Sequence, residues 1–290
     1  MVSHSPNDAY ADGGSEVLWE DGEHVFRRDW RRDDNGKHAV LIVQPAAEHP
    51  SRSILDRLAH EYELKDELDS AWALRPLDLV RDAGGTMLVL EDTASEPLHE
   101  LLGAPIEVGR FLRLAINIAA ALGELHQRGL VHKDIKPANI LVDSTTDEVR
   151  LTGFGIASRL ARERQSPHPP ETIAGTLAYM APEQTGRMNR SIDSRSDLYA
   201  LGVTFYQMLT GALPFTAVEP MEWVHCHLAR QPVAPAERLK EIPGTVSAIV
   251  MKLLAKRAEG RYQTAAGLES DIRRCQTEWE ERRRIDDFPR

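Results

Sequence analysis

Cysteine is almost absent: Cys226 and Cys275 are the two in 290 residues. Two are too few for a disulfide framework or a zinc site, and so few cysteines fit a reducing cytosol. No apolar run approaches a membrane span, and the N-terminus lacks the basic and apolar parts of a signal peptide. Positive charge is scarce as well. The 35 Lys and Arg against 45 Asp and Glu leave a net charge of −10, which argues against nucleic acid or a membrane surface as a partner. Arg27, Arg28, Arg31 and Arg32 form a local basic run, but acids flank it, so it reads as a solvated strand edge. The expectation is a cytoplasmic domain long enough to bury a large core.

What the chain does have is His132-Lys133-Asp134-Ile135-Lys136-Pro137-Ala138-Asn139. Pro137 stops a helix there, so the stretch is a loop, and Ile140-Leu141-Val142 after it reads as a short buried strand. Asp134 can accept a proton or orient a hydroxyl, Lys136 can face a transferring phosphate, and Asn139 offers a side-chain oxygen to a divalent cation. That is equipment for phosphoryl transfer, which runs on positioning and charge neutralisation. From spacing alone, a polar loop around a buried structural histidine reads the same.

Upstream, the pattern is short strands with one helix. Residues 1–15 are small and polar and predict a disordered tail. Val17-Leu18-Trp19 and Val25-Phe26 read as the first strands, and Asn35-Gly36 as a hairpin turn into Ala39–Val43. Ser51 caps a helix with Leu55, Leu58, Tyr62 and Lys65 along one side. Leu77–Val80 and Met87–Leu90 flank Gly84-Gly85 as a further hairpin. Downstream the chain is helical. Val108–Arg128 carries an apolar stripe closed by Gly129, and Asp197–Thr210 is apolar almost all round and ends at Gly211. Later helices fall near 220–229, 245–256 and 264–284.

The polar loop resembles the catalytic loop H-R-D-x-K-x-x-N of Ser/Thr protein kinases, with Lys133 in place of the Arg. Four further stretches extend the resemblance over about residues 16–280. Thr152-Gly153-Phe154-Gly155 lies where the family has D-F-G, and Gly175–Glu183 resembles the P+1 loop ending in A-P-E. Asp197–Gly202 resembles the start of helix F, and Arg261 matches the Arg that pairs with the A-P-E Glu, here Glu183. The resemblance implies an α+β, two-lobed protein-kinase fold: a five-stranded antiparallel sheet plus helix C, then a mainly helical large lobe. It places the small lobe and hinge at 16–93, the large lobe at 94–285 and a tail at 286–290. It implies Asp134, Lys136, Asn139 and Thr176 as catalytic residues, with Asn139 also on the metal. Val25, Val40 and Leu141 would sandwich a purine, hydrogen-bonded by hinge backbone at Glu91 and Thr93 beside a gatekeeper Leu90. Asp197 would accept backbone N–H groups from the catalytic loop. The P+1 segment sets the chain apart from small-molecule kinases, and Lys136 and Thr176 resemble the Ser/Thr-specific pattern. Residues 181–187, 197–215 and 275–289 are similar to kinase domains at the N-terminus of large bacterial sensor proteins that also carry a histidine kinase.

The departures bear on function. Gly153 stands where the D-F-G Asp would hold Mg²⁺. The strand-three Lys falls at Ile42, leaving Glu61 or Glu63 without its usual partner. With Val25 set against the family's loop, the three glycine positions hold Leu18, Glu20 and Glu23, so acids lie where a triphosphate would sit. Lys37 or Arg27 as a substitute cation, and Asp143 or Asp147 as a substitute acid, are the ways out. ATP and Mg²⁺ are therefore expected to bind weakly or not at all. The expected function is a pseudokinase that regulates or docks in bacterial signalling, with a protein partner or other modules of a signalling protein. The alternative is an active Ser/Thr kinase that works through Asp134, Lys136 and Asn139 with an atypical phosphate site. Ser158, Ser166, Thr172 and Thr176 are candidate phosphorylation sites.

Overall fold

The computed structural model describes residues 15–33, 36–82, 85–159, 177–187 and 191–286. Its contacts divide the chain into two units, one running to Ser95 and taking back Thr152–Ile156, the other holding the rest from Glu96. The fold is α+β, with the five-stranded antiparallel sheet that the resemblance implies in the first unit and a helical second unit.

The first unit is built from β1 (Glu16–Glu20), β2 (His24–Asp33), β3 (Gly36–Pro45), helix α1 (Arg52–Glu63), β4 (Pro76–Asp82) and β5 (Gly85–Glu91). Sheet order is β1-β2-β3-β5-β4. Ser51 caps α1 as its sequence position foretold, accepting the Ile54 N–H at 3.4 Å. One face of the sheet carries Val40, Ile42, Val80, Met87 and Val89 in a single buried cluster. No residue of α1 joins that cluster, although α1 packs on β4 and β5, so the helix covers the opposite face. Asn35 and Gly84 of the two hairpin turns lie outside the described residues, as do residues 1–14 of the tail expected over 1–15.

The second unit contains β6 (Glu96–Pro97), α2 (Val108–Gln127), β7 (Leu130–Val131), β8 (Ile140–Val142), β9 (Val149–Leu151), β10 (Ser158–Arg159), α3 (Ser194–Thr210), α4 (Pro220–Ala229), α5 (Pro235–Arg238), α6 (Gly244–Leu253) and α7 (Ala265–Arg282). Helix α3 is buried nearly all round, from Ser196 and Asp197 through Leu209. It begins one turn before the expected Asp197, because Asp193 caps it by accepting the Arg195 N–H at 2.9 Å. Gly211 ends it with φ +71°, a conformation glycine adopts at no steric cost. Gly202 lets α6 approach: a Cβ there would lie 2.6 Å from the Cβ of Leu253.

Polar anchors fix the loops to this helix. The Arg261 guanidinium bonds both oxygens of Glu183 at 2.7 and 2.9 Å, and Ser196 Oγ donates to the same carboxylate at 2.7 Å. Arg261 also donates to the carbonyls of Arg195, Ala255 and Lys256. Every charge in that buried set is compensated. His227 bridges the Leu177 carbonyl, 2.8 Å from Nε2, and the Tyr199 hydroxyl, 3.0 Å from Nδ1; burial pushes its pKa down to about 4, so it stays neutral.

Breaking a buried pair from one side strands the other charge, at about 3–5 kcal/mol. Glu183→Ala is expected to lower the urea midpoint accordingly. A double variant, Glu183→Leu with Arg261→Met, should recover much of that loss, since no unpaired charge remains.

Candidate functional site

The second unit brings three of the expected catalytic residues together. Pro137 opens a short 3₁₀ turn, Pro137–Asn139, that swings Asn139 back under the loop. Lys136 Nζ lies 3.0 Å from Asp134 Oδ2. Asn139 Nδ2 donates to that same oxygen at 2.9 Å and to the Asp134 carbonyl at 2.8 Å. One carboxylate oxygen therefore carries a cation and an amide donor. Such a group orients a hydroxyl and offsets charge beside it. Thr176 lies outside the described residues, as do Ser166 and Thr172; Ser158 sits in β10, opposite Val131. Leu141 is buried in β8.

The loop is held from behind. Asp197 accepts the N–H groups of His132 at 2.9 Å and Lys133 at 2.7 Å, and its Oδ2 lies 2.9 Å from His126 Nε2. Lys133 takes φ +70°, uncommon for a residue with a side chain, and burial pushes its ammonium pKa down. Gln184 was not singled out from the sequence, yet it ties two motifs: its Nε2 donates to the Lys133 carbonyl at 2.8 Å while its Oε1 accepts the Ala181 N–H at 3.0 Å. The only sequence signal for it is its place immediately after the A-P-E Glu.

In the first unit the strand register differs from the expected one by a single residue. Facing residues on paired strands share a sheet face, and alternate residues along a strand do too. Trp19 faces Phe26, Phe26 faces Val43, and Val43 faces Leu88. Arg28 faces Leu41, which faces Leu90. These residues form the face that α1 covers. Val25, facing Gln44, and Val40, facing Glu91, belong to the other face with Ile42. The purine roof expected from Val25 and Val40 is thus corrected: both point away from the face of Leu90. The position beside α1 on β3 is Val43 rather than Ile42. An aliphatic side chain stands there in either register. The β1–β2 connection is also tighter than a glycine loop, because Glu20 already pairs with Val25. Asp21 closes the turn by accepting the N–H groups of Glu23 and His24 at 3.0 and 2.7 Å. Trp19 stacks on Phe26 with centroids 4.6 Å apart, both rings buried on the inner face.

Glu61, not Glu63, is the buried acid of α1. Its Oε1 accepts the Gly153 N–H at 3.2 Å, while Glu63 stays at the surface, 3.9 Å from His60. Burial raises the Glu61 pKa above the usual glutamate value, against smaller opposing effects from the Phe154 and Gly153 N–H groups, His24 and His60. At the hinge, Glu91 donates its N–H to the Arg75 carbonyl at 3.0 Å and its carboxylate receives the Ser70 hydroxyl. Thr93 Oγ1 donates to Ser95 Oγ at 3.0 Å, and Asp92 pairs with Arg28.

The substitute ligands are engaged elsewhere. Lys37 Nζ lies 5.2 Å from the centroid of the Trp30 ring, and Arg27 bonds Ser15 and Gln44. Asp143 accepts the Thr145 and Thr146 N–H groups, and Asp147 binds Arg110 and Arg113 of α2. Among the described residues, no group of three or more His, Cys, Asp or Glu is placed to hold a metal ion.

A family description, protein kinase domain, matches residues 26–271. The chain belongs to that family. This kinase domain is 38% identical over 168 residues to the serine/threonine-protein kinase PknB of Mycobacterium tuberculosis, covering 58% of this chain and 26% of the relative. It is 30% identical over 244 residues to the serine/threonine-protein kinase pkn3 of Myxococcus xanthus, covering 81% of this chain and 44% of that one. The kinase domain thus spans less than half the length of these curated relatives. Its likeness is to bacterial kinases of the eukaryotic-like type. No helix among its described residues is long and apolar enough to cross a membrane.

A carboxyl whose folded pKa is raised contributes stability that is complete below the unfolded value and lost as pH rises through the folded one. Glu61→Gln removes that pH-dependent loss. The variant is expected to match the parent below the ordinary glutamate range and to exceed its stability at about pH 8, measured by chemical denaturation. A Glu61 paired with a cation would give the reverse order at the higher pH.

Proposed function

We propose that this chain is a pseudokinase: a Ser/Thr protein-kinase-like domain that regulates or docks a protein partner in bacterial signalling, in the cytoplasm. The observation that carries the reading is the inner face of the first unit. Where the family places a lysine, this chain has Val43 in the row of Trp19, Phe26 and Leu88. Where it places a glycine loop, the buried Trp19 stacks on Phe26. Where it places a metal-binding Asp, Gly153 offers only an N–H, already given to Glu61. These residues do not suit a magnesium triphosphate. A triphosphate needs cations and a metal needs hard oxygens, and Asn139 is the one expected metal ligand still in place. Losing one preorganised charge partner commonly costs about 10²–10³ in rate.

A second reading, an active kinase with an atypical phosphate site, has one observation in its favour: Asp134, Lys136 and Asn139 remain assembled. The same arrangement serves a scaffold. Their mutual bonds neutralise Asp134 and complete the loop that Asp197 holds.

The expected outcome is no thermal shift with ATP, with or without Mg²⁺ or Mn²⁺, and no label transferred from ATP to protein. Asp134→Asn run in parallel decides the matter. Incorporation that the parent shows and this variant loses would establish the second reading and sink the first.

A further inference from the structure

Strand alternation divides the basic run of β2 between the two faces of the sheet, and three of its four arginines are held. Arg27 bonds Ser15 and Gln44, and Arg31, on the same face, lies 3.6 Å from Asp78. Arg28, on the other face, pairs with Asp92. Arg32 shares the face of Arg28, is exposed, and forms no ion pair among the described residues.

The sheet also ends before Arg32 does. β1 pairs with β2 as far as Arg28, and β5 pairs with β3 from Val40 on. β2 and β3 stay paired out to Asp33 and Gly36. Among the described residues, 29–33 and 36–39 therefore form a two-stranded ribbon that projects past the other strands. Such a ribbon is marginally stable in water unless something packs on it. Trp30, facing Ala39, is 38% exposed there. Arg32 faces Lys37 directly, and like charges set opposite each other destabilise a ladder. Lys37 is exposed too, with its Nζ 5.2 Å from the centroid of the Trp30 ring. One face of the ribbon thus carries an uncovered aromatic ring beside two cations that repel each other.

A ligand that relieves this repulsion and covers the ring carries both negative charge and an apolar group. Nucleic acid fits poorly. Its non-specific binding draws on about 6–10 phosphate contacts, whereas this face offers two cations on a chain of net charge −10. A short peptide segment fits in size, with carboxylates for Arg32 and Lys37 and an apolar side chain for Trp30.

We propose that the Trp30, Arg32 and Lys37 face of the β2–β3 ribbon docks an acidic segment of a partner protein. The inference deepens the docking role proposed above and rests on it. Its test reads peptide binding alone, so its failure leaves the predicted silence toward ATP standing.

Fluorescence anisotropy of a labelled peptide of alternating Glu and Leu, titrated with the full chain, tests it. The parent should bind that peptide, more weakly as salt is raised, and should not bind a Lys–Leu counterpart. Arg32→Glu with Lys37→Glu should weaken the acidic peptide roughly 10-fold and make the Lys–Leu peptide bind. Trp30→Ala should weaken the acidic peptide without changing that charge preference. Arg32→Glu alone turns a like-charge pair into an opposite one, so it should cost binding while the urea midpoint holds or rises. A residue kept for the fold would lower the midpoint instead. The proposal is overturned if the parent ignores the acidic peptide, if the double variant binds it as the parent does, or if oligothymidylate binds as tightly. It is overturned equally if sedimentation finds a dimer that Trp30→Ala dissolves, since the face then belongs to a second copy. Should the double variant fail to fold, Arg32→Glu decides alone, and undiminished binding there sinks the proposal.

Discussion

Asp197 is a carboxylate buried in the first turn of α3, and an ion so placed is tolerated only if donors surround it. The donors it takes are the backbone N–H groups of His132 and Lys133, with His126 beside them. That requirement bends the loop, puts Lys133 at positive φ and leaves Asp134, Lys136 and Asn139 converging on its far side. Gln184 extends the same frame to the A-P-E segment, and Glu183 with Arg261 pins that segment to the helices. The geometry of the loop is therefore a by-product of satisfying buried polar groups. It persists whether or not the loop does chemistry.

The first unit is governed by the opposite rule. Along its inner face Val43, Trp19 and Phe26 pack as core, and the one arginine among them, Arg28, is held by Asp92. Burying these apolar side chains adds stability to the unit. The Glu61 carboxyl accepts the Gly153 N–H, and burial raises its pKa against that bond.

Much of the second unit was legible in the chain. Motifs such as H-K-D-x-K-x-x-N and A-P-E followed by a distant Arg261 are spaced by the frame just described, so finding them locates Asp197, Glu183 and their partners. Helix ends were legible where a local rule decides them, as with Ser51 and Gly211. Asp193 was missed as the cap of α3 because an apolar pattern marks a helix interior and says little about its first turn. Gln184 was missed because nothing in its own surroundings in the chain hints at a bond to Lys133, which is distant in sequence.

By itself the sequence determined the family, the order of strands and helices, the polar anchors of the helical unit and the loss of a lysine and an acid. Only the tertiary structure decided which face each strand residue takes. A strand repeats every two residues, so one residue of uncertainty in a hairpin exchanges the two faces completely. That is why Val25, Val40 and Ile42 were assigned to a face that belongs to Phe26, Leu41 and Val43. It is also why Glu61 could be told from Glu63 only once α1 lay against the sheet, since burial of one acid and exposure of the other arises from packing between elements.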